Sequence, residues 1–487
     1  MADIISLRAL KSFGDVAAED DAVLDYFLTT EAVERLRQGS AFIVLGRKGS
    51  GKTALVRHFS EGQSGQLSKA LNLRGYPWSL HASRVDAGAS SIEAYVSSWR
   101  YLITVELAAL VLSASERPQF QKYLDLIEFF RDNYGGPSPK LSDILRPKRL
   151  LVRKASIQPS VLGAMLGGVD LERGAGDHRF GLEIDALSSA ILSTVIEIAK
   201  NEELPGVSLH FDELDQGLEL FDNDRKRMLI GLILAARELR RECSSAGYSV
   251  DPIIYLRSDL WDDLDFSDKN KITETSAVNL DWSNETLAQL VDARVQAKLH
   301  PSARWDDIAS PRLMRGSQSK WNHITSRTFL RPRDVIKFLN AALGRAKMRL
   351  DEPLVFDNPD IVDAREEYSR YLKRELDDEI LPHWDGWEEA LQAFSAISTM
   401  TFDRTDFSRE YSIKRSTTNP ISADEALELL YRFSVVGYER RSGYGGSSWT
   451  FQYSDPQAGW DASATKFKVH PGLKEYAKLS ETRQQAG

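Results

Sequence analysis

The chain has 487 residues, of which 42% are hydrophobic and 27% charged, with a formal net charge of −9. That length outgrows a single hydrophobic core and calls for two or three domains. The acidic balance argues against a protein that coats nucleic acid over its whole surface, while leaving a local basic face open. A single cysteine, Cys243, removes disulfides and Cys-ligated zinc and fits a reducing compartment. The eight histidines are scattered without paired spacing, so no His-based metal site is expected. No apolar run approaches the ~18 residues that span a membrane. The N-terminus lacks a cationic-then-apolar leader layout. A cytoplasmic, soluble chain with no membrane partner is the expectation.

Residues 1–40 read as helical, with Leu24, Phe27, Leu28, Val33 and Leu36 as apolar positions. Ala41 to Leu45 is then a short, continuous apolar run, as in a parallel strand covered on both faces. Directly after it, Gly46 to Thr53 fit G-x-x-x-x-G-K-[ST]. Glycines let a backbone wrap closely around phosphate oxygens and point N–H groups inward. A helix beginning near Lys52 aims its positive end at the same anion. Gly46, Lys48, Gly49, Ser50, Gly51, Lys52, Thr53 and Ala54 are the expected phosphate-binding set. Lys52 would bridge the β- and γ-phosphates, and the Thr53 hydroxyl would ligate Mg²⁺.

Tyr76 to Asp86 is expected to form a second strand, and Trp99 to Leu112 an apolar core helix. Residues 113–182 form a long, partly glycine-rich insertion, locally basic at Lys148, Arg149, Arg153 and Lys154, a run read as solvated surface. Residues 184–200 should be a helix. "GVSLHFDELDQG", residues 206–217, supplies a strand through Val207, Leu209 and Phe211 that ends in two carboxylates. Asp212 would hold Mg²⁺ and Glu213 would polarise the attacking water, which a phosphate loop alone cannot do. Asp215 reads either as a third site acid or as a helix cap.

Ile253 to Leu256 form a third strand, followed by Arg257 and Ser258, either of which would sense the γ-phosphate in an ATPase with an extra strand between loop and acids. Residues 285–350 read as a helical lid, interrupted near "PSARWDDIASPRLMRGSQSKW". Within it, "RTFLRPRDVIKFLNAAL" is an amphipathic helix with Pro332 in its first turn. Arg331 and Arg333 at its start could reach phosphates bidentately, or could be solvated beside Asp334. Near the C-terminus, "GWEEALQAFSAIS" and "ADEALELLYRFSVVGYERR" are helical, then "VVGYERRSGYGGSSWTFQYSD" gives a hairpin and "TKFKVHPGL" a short strand. Helices followed by a hairpin make a winged helix. Arg432, Arg440 and Arg441, beside Tyr438 and Tyr444, could meet DNA phosphates, and winged helices serve equally as protein-interaction modules.

The ordered set "LGRKGSGKT", "LHFDELD", "IIYLRSDLW" and "LRPRD" resembles a bacterial family of P-loop ATPases, related to the STAND and origin-recognition-type branches of the AAA-like superfamily and often found in anti-phage defence islands. The stretch from "FGDVAAEDD" into the loop, and "DKNKITETSAVNLDWSNETLAQLVDAR" at 268–294, carry the same resemblance. It extends over about three quarters of the chain. The chain departs from standard AAA+ enzymes in placing Arg257 where Asn or Thr is usual, and it offers no inter-subunit arginine finger, which is at odds with an obligate ring. The resemblance implies ATP and Mg²⁺ as ligands; no GTPase-type N-K-x-D pattern is present.

The expected architecture is therefore α/β: a P-loop NTPase (ASCE/AAA-like) parallel-sheet core over 1–290, a helical lid over 291–375 and a winged-helix domain over 376–487. The expected function is an ATP-hydrolysing conformational switch of slow or ligand-stimulated turnover, acting through an effector protein, a nucleic acid or a homo-oligomer. The alternative is a DNA-binding winged-helix protein in which nucleotide is structural. A small-molecule kinase fits less well, because no acceptor-substrate motif accompanies the acid pair.

Overall fold

The computed structural model describes residues 5–62, 67–74, 76, 81, 92–116, 120–145, 149–153, 157, 160–161, 164–165, 168–170, 178–214, 222–441 and 447–481. The chain divides into two units. A sheet unit comprises Thr29–Arg47 and Lys52–Leu280; a helical unit comprises Met1–Leu28, Lys48–Gly51 and Asp281–Gly487.

In the sheet unit, five parallel strands lie side by side. They are β1 (Ile43–Leu45), β2 (Leu67–Asn72), β3 (Val207–Asp212), β4 (Val250–Leu256) and β5 (Ala277–Asn279), in the spatial order β2-β3-β4-β1-β5. All three residues of β1 are buried, because strands covered on both faces must be apolar throughout. The strand that leads into the glycine-rich loop, β1, is separated from the acidic strand β3 by β4, so this is the P-loop NTPase fold with an inserted strand, in an α/β parallel-sheet core. The register Leu45↔Leu256 and Phe211↔Ile254 brings the C-terminal ends of β1, β3 and β4 to one edge of the sheet. In open parallel sheets that edge is where ligands bind.

Helices α1 (Lys52–Glu61), α2 (Ile92–Ala114), α3 (His178–Asn201) and α4 (Asn223–Ser245) surround the sheet. Helix α2 packs against α3 and α4. Trp99, fully buried, donates its indole N–H to Met228 O at 2.9 Å. At Gly231 a Cβ would stand 2.6 Å from that of Tyr95, so glycine lets the α2 and α4 backbones close together. Helix α2 is long and apolar enough to cross a membrane, yet 72% of its most apolar window is buried in this core.

Two expectations are corrected. The second strand is Leu67–Asn72, whereas Tyr76 and His81 are not in a strand; most of 77–90 lies outside the described residues. Residues 5–40 are mostly irregular, with short helices only at Val23–Tyr26 and Glu31–Arg37. Gly14, at φ 118°, interrupts any helix there, and a Cβ at that position would meet the Arg294 guanidinium that pairs with Asp21.

The helical unit has its own core, in which α5 (Asn284–Lys298), α6 (Pro332–Ala346) and α7 (Asn358–Ile380) follow one another. Each helix start is written in sequence: a Ser283/Thr286 capping box, Pro332 in the first turn, and an Asp357/Asp360 box. Phe338 of α6 packs on Tyr368 of α7, ring centroids 4.9 Å apart.

Beyond α7, helix α8 (Trp387–Ile397), strand β6 (Thr401–Asp403), helices α9 (Arg404–Lys414) and α10 (Ala423–Arg432), and strands β7 (Val436–Arg441), β8 (Ser447–Thr450) and β9 (Lys466–Val469) complete the chain. The strands form one antiparallel sheet in the order β6-β9-β7-β8, in which β7 and β8 are the expected hairpin.

Candidate functional site

In the sheet unit, β1 stops at Leu45, and Gly46 N–H donates to Leu256 O at 3.2 Å, fixing where the loop leaves the sheet. The Lys52 ammonium folds back over the loop it closes, donating to Gly46 O at 2.9 Å and Arg47 O at 3.1 Å. Helix α1 begins at Lys52 and carries no acid in its first turn, so the positive end of its dipole is not neutralised locally. Thr53 and Ala54 lie in that turn, half-buried.

Asp212 ends β3 and is buried. Glu213 follows at φ 57°, a left-handed backbone that costs a non-glycine residue roughly 1 kcal/mol and concentrates at functional sites. Arg257, at the end of β4, is held as a fork by Asp259, Nε to Oδ1 at 3.0 Å and Nη2 to Oδ2 at 2.7 Å. Strand pairing thus brings Gly46, the Asp212–Glu213 pair and Arg257 to the same sheet edge. Asp215 lies outside the described residues.

Sequence reasoning missed a polar line beneath the acids. His210, fully buried two residues before Asp212, engages Tyr255 Oη through Nδ1 at 2.9 Å and Ser68 Oγ through Nε2 at 3.0 Å. Burial pushes the His210 imidazole down to about 3, so it is neutral at pH 7. Burial, with the Asp212 charge added, holds the Tyr255 phenol well above its usual range. The sequence signal was a histidine alternating with the apolar Leu209 and Phe211 of the strand.

Within the helical unit, the loop tip Lys48–Gly51 is surrounded by polar groups. Lys48 Nζ reaches Asp378 Oδ2 at 2.5 Å and Glu375 Oε2 at 3.6 Å. Arg331 is almost wholly buried; it is bound by Asp334, by Glu379 at 2.5 Å, and donates to Lys48 O at 2.8 Å. Burial disfavours its charge, but Asp334 and Glu379 outweigh that and hold its pKa above the ordinary arginine value. Arg333 is more exposed, pairs with Glu375 at 3.3 Å and donates from Nε to Val16 O at 3.1 Å.

The loop fits a bound polyphosphate on two counts. The Ser50 hydroxyl is buried without a hydrogen-bond partner among the described residues, a state that costs about 1–3 kcal/mol unless a ligand completes it. Gly49 and Gly51 both have positive φ, 80° and 103°, and a Cβ at Gly49 would sit 3.0 Å from Arg333 Cβ. Those are the positions where only glycine lets the chain turn and approach closely.

Of the C-terminal residues singled out in sequence, Tyr438 is buried, its hydroxyl donating to Gly459 O at 3.1 Å, and so offers no surface for phosphates. Arg440 is exposed, 3.6 Å from Asp455, and Arg432 lies over the Phe433 ring at 5.8 Å. Tyr444 and the Arg441 side chain lie outside the described residues, as do Lys148 and Lys154; Arg153 is exposed, 3.5 Å from Asp132.

Residues 285–377, which span α5 to α7, match the family described as FunZ-associated C-terminal helical domain. No curated protein matches the chain. Among solved structures it is similar to the Aeropyrum pernix Orc1 protein in complex with DNA, at 12% identity and a TM-score of 0.37, covering 96% of this chain and 98% of that one. It is also similar to Cdc6p from Pyrobaculum aerophilum, at 13% identity and a TM-score of 0.31, covering 91% and 89%. The strand order and loop geometry, rather than these likenesses, define the fold.

Proposed function

We propose that the chain is an ATP-binding and ATP-hydrolysing switch of the P-loop type. One observation carries the reading: a glycine-rich loop leads from β1 into an acid-free helix start, at the same sheet edge as the Asp212–Glu213 pair. Gly46, Lys48 to Thr53 and Ala54 line the phosphates with backbone N–H groups and hydroxyls, and Lys52 supplies the positive charge at the β- and γ-phosphates. Thr53 and Asp212 would hold Mg²⁺, which when bound would neutralise charge developing on the phosphate oxygens. Glu213 orients and polarises the attacking water, a role that its positive φ supports, since strained backbone of this kind concentrates at functional sites. Arg257 senses the γ-phosphate, and of the two lid arginines Arg333 is the more exposed.

Functionally, residues 291–375 act as the lid and 376–487 as a winged helix that carries the output, in keeping with a soluble chain. Helix α10 presents Asp424, Glu425 and Glu428 to solvent alongside exposed Arg440 on β7. Mixed charge of this kind favours a protein partner or a second copy over a phosphate backbone, which demands net positive charge. A role in defence against phage rests on the sequence resemblance.

ATP turnover by the purified chain, with and without duplex DNA at physiological salt, tests the reading. Slow turnover that Glu213→Gln stops is expected. Turnover unaffected by that change would remove Glu213 from the chemistry, and DNA stimulation would make the winged helix a DNA sensor.

A further inference from the structure

Three successive carbonyls of the loop tip are each held by a donor of the helical unit. Lys48 O accepts from Arg331 Nη1 at 2.8 Å, Gly49 O from the Arg333 backbone N–H at 3.4 Å, and Ser50 O from Trp282 Nε1 at 2.8 Å. The peptide plane is rigid, and the C=O of one residue points opposite to the N–H of the next. Holding these three carbonyls turned toward Arg331, Arg333 and Trp282 therefore turns the N–H groups of Gly49, Ser50 and Gly51 the other way, together. Converging N–H groups are what an anion nest consists of.

We infer that Trp282 and Arg331 are positioning residues that set the phosphate loop in its anion-binding shape, Arg331 acting on the loop carbonyl instead of on the phosphates. This rests on the reading of Gly46–Thr53 as the phosphate site. The surroundings suit the role. Arg331 is almost fully buried, and its Nε, Nη1 and Nη2 are all engaged by Asp334, Glu379 and Lys48 O. Its guanidinium is thus rigidly placed, with donors committed to this chain. Asp334 and Glu379 hold the arginine, the arginine holds the carbonyl, and Glu375 with Asp378 holds the Lys48 side chain. Gly49 is glycine in part because any larger residue would push Arg333 away from the tip.

Titration of the full chain with Mg·ATP and with inorganic pyrophosphate, for wild type, Trp282→Phe, Arg331→Lys and Lys52→Ala, tests this. Trp282→Phe keeps an aromatic side chain, though a smaller one, and removes the N–H that Ser50 O accepts. It should weaken both ligands about five- to tenfold, the worth of one hydrogen bond, raising KM rather than lowering kcat in a chain that stays folded. Arg331→Lys keeps the charge but cannot serve two carboxylates and a carbonyl at once, and should do the same where it folds. Wild-type affinity for both ligands in Trp282→Phe would overturn the positioning role while Lys52→Ala still abolished binding. Lys52→Ala binding as well as wild type would overturn the phosphate-loop reading and this inference with it.

Discussion

Acid should destabilise the sheet unit through one residue. His210 is fully buried, and its pKa is pushed from the usual 6.5 down to about 3 by that burial. Between those values the unfolded chain binds a proton at this position that the folded chain does not, so folding loses stability as pH falls below about 6.5 and the loss saturates near 3. At pH 7.5 the effect is negligible; at pH 5 it amounts to about 2 kcal/mol. His210→Gln keeps a donor and an acceptor toward Tyr255 and Ser68 but cannot titrate. Urea unfolding of wild type and variant at the two pH values isolates the effect, because every other titrating group, buried His323 included, is common to both proteins. Whatever the substitution costs at pH 7.5, the difference should move by about 2 kcal/mol in the variant's favour at pH 5. A difference that stays constant would mean His210 is not held neutral in the folded chain, and the polar line beneath Asp212 would have to be redrawn.

Other outcomes follow from the same geometry. Arg331→Met should destabilise the helical unit by roughly 3–5 kcal/mol, since Asp334 and Glu379 would be left buried without their partner; a loss under ~1 kcal/mol in chemical denaturation would contradict the burial. Gly49→Ala should lower ATP affinity about tenfold or more, because φ of 80° and a Cβ 3.0 Å from Arg333 both oppose it; calorimetric titration reads this directly. Glu213→Gln should keep ATP affinity and lose turnover by a hundredfold or so, as expected of a residue that acts on the attacking water.

Much of the sheet unit was legible because its signals are local. The apolar run of β1, the glycine spacing after it and the acid pair closing β3 each occupy one short stretch, and the strand order follows once the loop and acids are placed. The hairpin of β7 and β8 and the helices α6, α8 and α10 were likewise written in periodicity and capping. The N-terminal segment was not legible, because its conformation depends on Gly14 fitting against Arg294, a residue some 280 positions away. The edge strand was placed too late because Leu67–Asn72, with a single buried residue, lacks the apolar signature of its neighbours. The environment of Arg331 depends on Glu379, 48 residues on in another helix, so sequence could place the arginine but not what holds it. The role of His210 was not legible, because its partners Tyr255 and Ser68 stand on other strands, far away in the sequence.

The central claim is that the Gly46–Thr53 loop binds the phosphates of ATP. Equilibrium binding of ATP in the presence of Mg²⁺ to the full chain and to Lys52→Ala tests it most directly. Wild type should bind and Lys52→Ala should lose at least a hundredfold in affinity with its fold retained, as removal of the charge at the phosphates requires. Equal affinity in the two proteins would contradict the account.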